Sequence, residues 1–315
     1  MSSQANQPLP EGHQLLNYRI MKLIASGGFS LVYLAHDENE QPVAIKEYLP
    51  ATLALRAEGD VLPVIPEDKL AAFRYGLKCF FDEGLAVSKL SHPNIVRVIN
   101  FFRANETVYM VMRYERGRTL HEHISAHRGA LREDWIRQSF AQLLNGLREV
   151  HSNKLLHLDI KPGNIYIRND GTPLLIDFGA ARQTLTVEGV QLPPMLTPGF
   201  ASPEHYGRSE DLGPWSDIYS IGASMYACLA SSAPQPANER MEKDRLMPAR
   251  RAWPGKYSNE LLDIVDWCLQ IDHLLRPQSV FTLQKSLLGE KDPGYRGETP
   301  ILDQIKGAIL KLGKR

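Results

Sequence analysis

Cysteine is scarce: the 315 residues hold only Cys79, Cys228 and Cys268, and none stands in a CxxC or mixed Cys/His spacing. That pattern excludes a disulfide framework and a zinc ribbon, and it reads as reduced core thiols of a cytoplasmic protein. A surplus of charge is also missing. Lys plus Arg and Asp plus Glu number 36 each, so no overall field draws the chain to nucleic acid or to an anionic membrane. Long apolar runs are absent; the nearest, residues 218–230, carries serines and is too short to span a bilayer. The opening MSSQANQPLPEGHQ has neither the basic nor the apolar region of a secretory signal.

What is present is an apolar fraction of 43%, enough to fill the core of a compact chain of this length. A polar, proline-bearing tail is expected over 1–17. Residues 18–24, 31–35 and 43–46 are rich in Val, Ile, Leu and Tyr between turn-type residues and predict three successive antiparallel strands. Residues 69–90 lack proline and end at SHPN, which predicts a helix region, either two helices or one kinked near Gly76. Two more strands are expected at 95–102 and 107–114, on either side of the turn RANE.

Beyond Gly117 the pattern turns helical. Ile136, Phe140, Leu143, Leu144, Leu147 and Val150 keep helical spacing, and 218–230 and 261–269 are further helices. The chain reads as α+β with two lobes: a small β-rich N-lobe with one helix over 18–115 and a larger, mainly α-helical C-lobe over 116–288. An extension over 289–315 carries an apolar stripe, Ile301, Leu302, Ile305, Ala308, Ile309 and Leu312, with lysines on other faces. The stripe fits docking on the chain itself, a partner protein or a membrane surface, with docking in cis the favoured reading.

The chemistry is concentrated in HLDIKPGN, residues 157–164, and in IDFG, which ends at Gly179. Asp159, Lys161, Asn164 and Asp177 supply two carboxylates, an amide oxygen and a cation within a short stretch. Phosphoryl transfer from ATP needs a carboxylate to orient the attacking hydroxyl, oxygen ligands for a divalent metal and a cation beside the migrating charge.

HLDIKPGN and IDFGAAR, with VAIK at 43–46, ASPE at 201–204 and IASGGFSLVY ahead of them, resemble the Hanks-type serine/threonine protein kinases in the order that family uses. The resemblance covers residues 18–288 and implies the two-lobed kinase fold. It implies that Asp159 is the catalytic base, that Lys161 neutralises the γ-phosphate, and that Asn164 and Asp177 hold Mg²⁺, with Mn²⁺ as the alternative ion. Lys46 would bind the α- and β-phosphates of ATP and be held by Glu83, nine residues before His92; Asp82 is the competing partner. Ala25, Ser26, Gly27, Gly28, Phe29 and Ser30 would form the phosphate loop, with Val32 and Ala44 lining the nucleotide. The pattern GxGxxG falls on Ala25, Gly27 and Ser30, so only its middle glycine is kept. Met112 would be the gatekeeper, and the backbone of Arg113 and Glu115 would meet adenine.

The same resemblance pairs Glu204 with Arg276, braces the catalytic loop with Asp217 and brings Thr197 to Asp159 and Lys161. Lys161 and Thr197 point to serine/threonine rather than tyrosine specificity. Leu158 stands where most regulated kinases carry an arginine that reads a phosphate on the activation segment, which implies activity independent of such a phosphate. The protein would phosphorylate protein substrates, itself included. The alternatives are a pseudokinase scaffold that binds partners without catalysis, suggested by the missing glycines and Leu158, and a small-molecule kinase. VAIKEYLPATLALR and HLDIKPGNIYIR look like proteobacterial members, some of which act with a cognate metal-dependent phosphatase or a secretion system.

Overall fold

The computed structural model describes residues 6–178, 196–207 and 209–289. A six-stranded antiparallel sheet forms the N-lobe from β1 (Gln14–Leu15), β2 (Tyr18–Ser26), β3 (Ser30–His36), β4 (Pro42–Tyr48), β5 (Val98–Ala104) and β6 (Thr107–Arg113), in the order β1-β2-β3-β4-β6-β5. The period-2 pattern of β3 turns Leu31, Tyr33 and Ala35 inward. Asn105 and Glu106, both at positive φ, close the β5–β6 hairpin.

Helix α1 (Leu70–Ser88) crosses behind the sheet and runs unbroken through Gly76, where the sequence suggested a kink. The glycine serves packing instead: a Cβ there would collide with the Tyr48 hydroxyl. Tyr48 in turn packs on Phe73 and Phe80 of α1, with ring centroids 5.3 and 5.7 Å apart.

Residues 6–17 are not the expected tail. Leu9 and Leu15 are buried, β1 pairs with β2, and the Ile20 amide and carbonyl bond His13 and Gly12 at 2.9 and 2.8 Å. Leu9 and a Leu15–Leu16 pair among polar residues are too sparse a pattern to show periodicity, yet the two that are buried suffice to close one end of an existing sheet.

The C-lobe is built on α3 (Glu133–Ser152) and α4 (Pro214–Ala230), with α2 (Leu120–Ala126), α5 (Ala237–Glu242), α6 (Ala249–Ala252), α7 (Asn259–Cys268) and α8 (Val280–Leu287) around them. Helix α4 is buried on nearly every side, which explains its apolar, serine-dotted sequence. Its Gly222 admits Cys268 of α7, since a Cβ would collide with that side chain. Cys228 and Cys268 are fully buried, and burial pushes both thiols far above their ordinary range. They are core residues. A small sheet of β7 (Gly117–Thr119), β8 (Ile165–Arg168) and β9 (Pro173–Leu175) lies between the lobes, in the order β7-β8-β9.

The lobes are tied by backbone. Val96 N donates to Leu175 O at 2.9 Å, Leu175 N to Asn94 O at 2.8 Å, and Asn94 Nδ2 to Pro173 O at 2.6 Å. Among the described residues no helix is long and apolar enough to cross a membrane. The stripe from Ile301 to Leu312 lies outside the described residues.

Candidate active site

The loop between α3 and β8 gathers the chemistry. Lys161 Nζ lies 2.8 and 3.0 Å from the two Asp159 carboxylate oxygens and donates to Thr197 Oγ1 at 2.9 Å. Thr197 Oγ1 donates to Asp159 Oδ1 at 3.0 Å. Asn164 Nδ2 donates to both Asp159 O, at 2.9 Å, and Asp159 Oδ2, at 2.8 Å. The Asp159 side chain is 18% exposed, so three donors orient it while it keeps an approach from the cleft.

The β-sheet assembles the opposite wall. Cross-strand partners share a face, and here Ala25 stands opposite Val32, Val32 opposite Lys46, and Ala44 opposite Met112. These five positions, up to 87 residues apart in the chain, therefore line one surface. Lys46 Nζ meets Asp177 Oδ1 at 2.5 Å and lies 5.5 Å from the Phe80 ring centre. Phe80 is one helical turn before Glu83 on the buried face of α1; Glu83 is buried and Asp82 half-buried. Asp177 adopts φ +59, and Ile176 N donates to Asn164 O at 3.0 Å, which sets the two expected metal ligands side by side in the backbone.

The loop expected to meet the phosphates, residues 25–30, is held from outside the motif. Gly27 N bonds Ser30 O across the turn, while Gly28 O accepts from Ala51 N at 3.1 Å and Phe29 O from Leu49 N at 2.9 Å. The segment after β4 thus carries the loop tip. At the hinge, Arg113 N donates to Arg97 O at 2.9 Å, so that amide is engaged in the sheet. The Glu115 carboxylate takes both Arg168 Nε and Nη2, at 2.9 and 3.0 Å, and Arg168 Nη1 reaches Pro93 O at 2.7 Å. The Glu115 side chain therefore joins hinge, β8 and the loop before β5.

A second ionic cluster escaped the sequence reading. Arg56 is wholly buried and bonds Glu47 through both terminal nitrogens at 2.7 Å. Tyr33 Oη and Tyr109 Oη donate to the same carboxylate at 2.7 and 2.6 Å, and burial first, then Glu47, pushes both phenols far up. Asn6 accepts from Arg56 N and donates to Leu49 O and Ala54 O. Residue 47 follows Lys46 on β4 with its side chain on the opposite face, so the cluster anchors both β4 and the segment that carries the phosphate loop. The signal available was a charged residue alternating with apolar ones on a central strand; its partner nine residues on stands in a region without periodicity.

Two pairings expected from the sequence are formed. Arg276 grips Glu204 at 2.7 and 3.0 Å; burial opposes the Glu204 charge, but Arg276 holds its carboxyl below the usual range. Asp217, fully buried, accepts from His157 N at 2.9 Å and Leu158 N at 2.8 Å and lies 2.8 Å from His151 Nε2. Burial opposes ionisation here too, yet the histidines and backbone amides keep the acid below its ordinary value. Leu158 itself is buried, 5% exposed, and lines a small cavity together with Leu196, Phe200 and Ala201.

A twisted antiparallel N-lobe over a helical C-lobe, with lysine, carboxylates and asparagine facing one cleft, is the architecture of a phosphotransferase. Residues 18–288 match the protein kinase domain family, and the chain belongs to it. It is 28% identical over 82% of its length to sperm motility kinase 2B of Mus musculus and 29% identical over 93% to serine/threonine-protein kinase Nek5 of Homo sapiens. The chain spans 49% of the first of these proteins and 39% of the second. Among solved structures, PpkA-294 in its apo form superposes with a TM-score of 0.79 at 33% identity, over 89% of this chain and 99% of that one. A kinase-domain mutant of Mycobacterium tuberculosis PknI, at 18% identity and a TM-score of 0.65 over 90% of this chain and 99% of that one, shares the fold.

Proposed function

We propose that the protein transfers the γ-phosphate of ATP to serine and threonine hydroxyls of proteins, including its own. The observation that carries this reading is the Asp159, Lys161, Thr197 and Asn164 cluster, in which one carboxylate is aimed by three donors from two segments. In it Asp159 orients the substrate hydroxyl and takes its proton, Lys161 balances charge on the migrating phosphoryl group, and Thr197 spans the two. Lys46, steadied by Glu83, meets the nucleotide phosphates, which lie under residues 25–30; Val32, Ala44 and Met112 enclose the base, and the backbone of Arg113 and Glu115 reads its edge.

Asn164 and Asp177 would hold the divalent ion. Asn164 commits its amide nitrogen to Asp159, which leaves an amide oxygen and a carboxylate as donors, the set a hard cation takes. Mg²⁺ is the expected ion and Mn²⁺ the alternative; bound there, it neutralises phosphate charge. Activity without a phosphate on the activation segment is supported by Leu158, which is buried and whose apolar side chain has no donor to offer a phosphate. Thr184 and Thr186 lie outside the described residues; replacing both by Ala should keep most activity, and a hundredfold loss would sink this part of the reading. The chain acts in the cytoplasm on protein substrates. A metal-dependent phosphatase or a secretion-system component remains the partner to seek, on the strength of the proteobacterial resemblance.

The test is transfer of labelled γ-phosphate from Mg·ATP to the protein itself and to a basic acceptor protein, beside Asp159→Asn. Label on serine or threonine that vanishes in the variant supports the kinase and its base. ATP binding without transfer in either protein would overturn it in favour of a scaffold, the reading that Ala25 and Ser30 in the phosphate loop suggest.

A further inference from the structure

His205 follows Glu204 in the turn that ends the activation segment, and its imidazole is buried beneath the catalytic loop. Its two nitrogens serve different segments. Nδ1 accepts from Ser202 N at 3.1 Å and lies 2.7 Å from Ser202 Oγ, while Nε2 stands 3.2 Å from Leu158 O. An amide N–H can only donate, so Nδ1 is the acceptor and the ring proton sits on Nε2, aimed at Leu158.

Leu158 is an unusual place to anchor. It adopts φ +60, a region that a branched side chain rarely enters without support. Its amide is held by Asp217 at 2.8 Å and its carbonyl by His205, so α4 and the end of the activation segment grip the peptide groups on its two sides. Asp159 is the next residue, and any rotation of the Leu158–Asp159 peptide swings its carboxylate.

We propose that His205 is a positioning residue for phosphoryl transfer: by donating from Nε2 to Leu158 O it fixes the left-handed Leu158 peptide and thereby aims Asp159. Ordering of the activation segment is then read by the catalytic loop through an imidazole and a carbonyl, in a chain without the phosphate-reading arginine. The inference rests on the assignment of Asp159 as base made above.

The device works only with a neutral ring, since a proton on Nδ1 would face the Ser202 N–H. Among the described residues the charged groups that face it are Asp217 from α4, Glu204 from its own turn, paired with Arg276, and Asp159 from the catalytic loop, paired with Lys161. Burial disfavours the imidazolium more than these carboxylates favour it, so the ring titrates below its ordinary range. Activity therefore falls as pH drops through that lowered value.

The experiment compares His205→Phe and His205→Gln, with Asp159→Asn as control, measuring kcat and KM for ATP across pH. Glutamine can donate to Leu158 O and accept from Ser202 N, and it has no proton to gain. His205→Phe should lower kcat by about tenfold or more with KM for ATP within about threefold, and His205→Gln should restore kcat to within about threefold while moving its acid limb to lower pH. Equal kcat in the Phe variant and the unsubstituted protein overturns the inference, as does a Gln variant with an unshifted acid limb. Should His205→Phe fail to fold, the Gln profile decides alone. Transfer by Asp159→Asn at the unsubstituted rate would instead bring down the assignment of the base, whatever the His205 variants do.

Discussion

Two ionic clusters, one in the loop between α3 and β8 and one on β4 and the segment after it, differ in their access to solvent. The Asp159–Lys161 pair keeps 18% and 27% of its side chains exposed, and its members lie two residues apart. The Glu47–Arg56 pair is fully dry, its network gathered from residues 6, 33, 47, 56, 105 and 109. A carboxylate proposed to take a proton must meet substrate and solvent; the Glu47 carboxylate, which fastens β4, has every lone pair occupied. Exposure separates the two, although both are carboxylates with a cation beside them.

Substitutions can break that contrast, and the largest effect should fall on the open cluster. Asp159→Asn should lower kcat by about 10²–10⁴-fold while leaving the urea midpoint nearly unchanged, as followed by γ-phosphate transfer and denaturation on the same preparation. Arg56→Met reverses the pattern. Removing one member of a buried pair strands Glu47, so unfolding should become easier by about 3–5 kcal/mol, with Arg56→Met combined with Glu47→Leu recovering much of the loss. Because the same cluster anchors the segment that bonds Gly28 and Phe29, KM for ATP should rise in any Arg56→Met protein that folds.

Acid should separate a third carboxylate from both. The Glu204 pKa is depressed in the folded state, so its pairing with Arg276 stabilises fully above the ordinary carboxylate value of 4.5 and less as pH falls through the lowered one. Denaturation followed from pH 6 downward should show that loss, and Glu204→Gln should flatten the slope while lowering stability at neutral pH. Thr197→Val should reduce kcat by about tenfold, since it removes one of three donors to Asp159. The smallest change belongs to Arg19→Ala, whose exposed pair with Glu40 should contribute no more than about 0.5 kcal/mol to unfolding.

Much of the candidate site's geometry was legible because its residues sit in a short motif. Asp159, Lys161 and Asn164 sit on one tight loop, and a loop of eight residues brings them together whatever the rest of the chain does. Five of the six strands of the main sheet were legible for a similar reason, since a run of Val, Ile, Leu and Tyr between turn-type residues is written into consecutive positions. Elsewhere local pattern carried no such information. Gly76 suggested a kink, but the helix is continuous, and the glycine leaves the space that Tyr48, 28 residues earlier, occupies. Leu9 and Leu15 looked like a tail, and Arg56 looked like a loop residue, because what buries each lies on distant strands.

The sequence alone determined the order of the lobes, the kinase motifs and the pairing of acid with lysine in the catalytic loop, all of which depend on neighbours within a few residues. Tertiary structure decided which surface Ala25, Val32, Ala44, Lys46 and Met112 share, what holds the loop of residues 25–30, and what supports the backbone of Leu158. Those are contacts between segments whose separation in sequence carries no period, so only the packing of a sheet against a helix, or of His205 beneath the catalytic loop, could specify them.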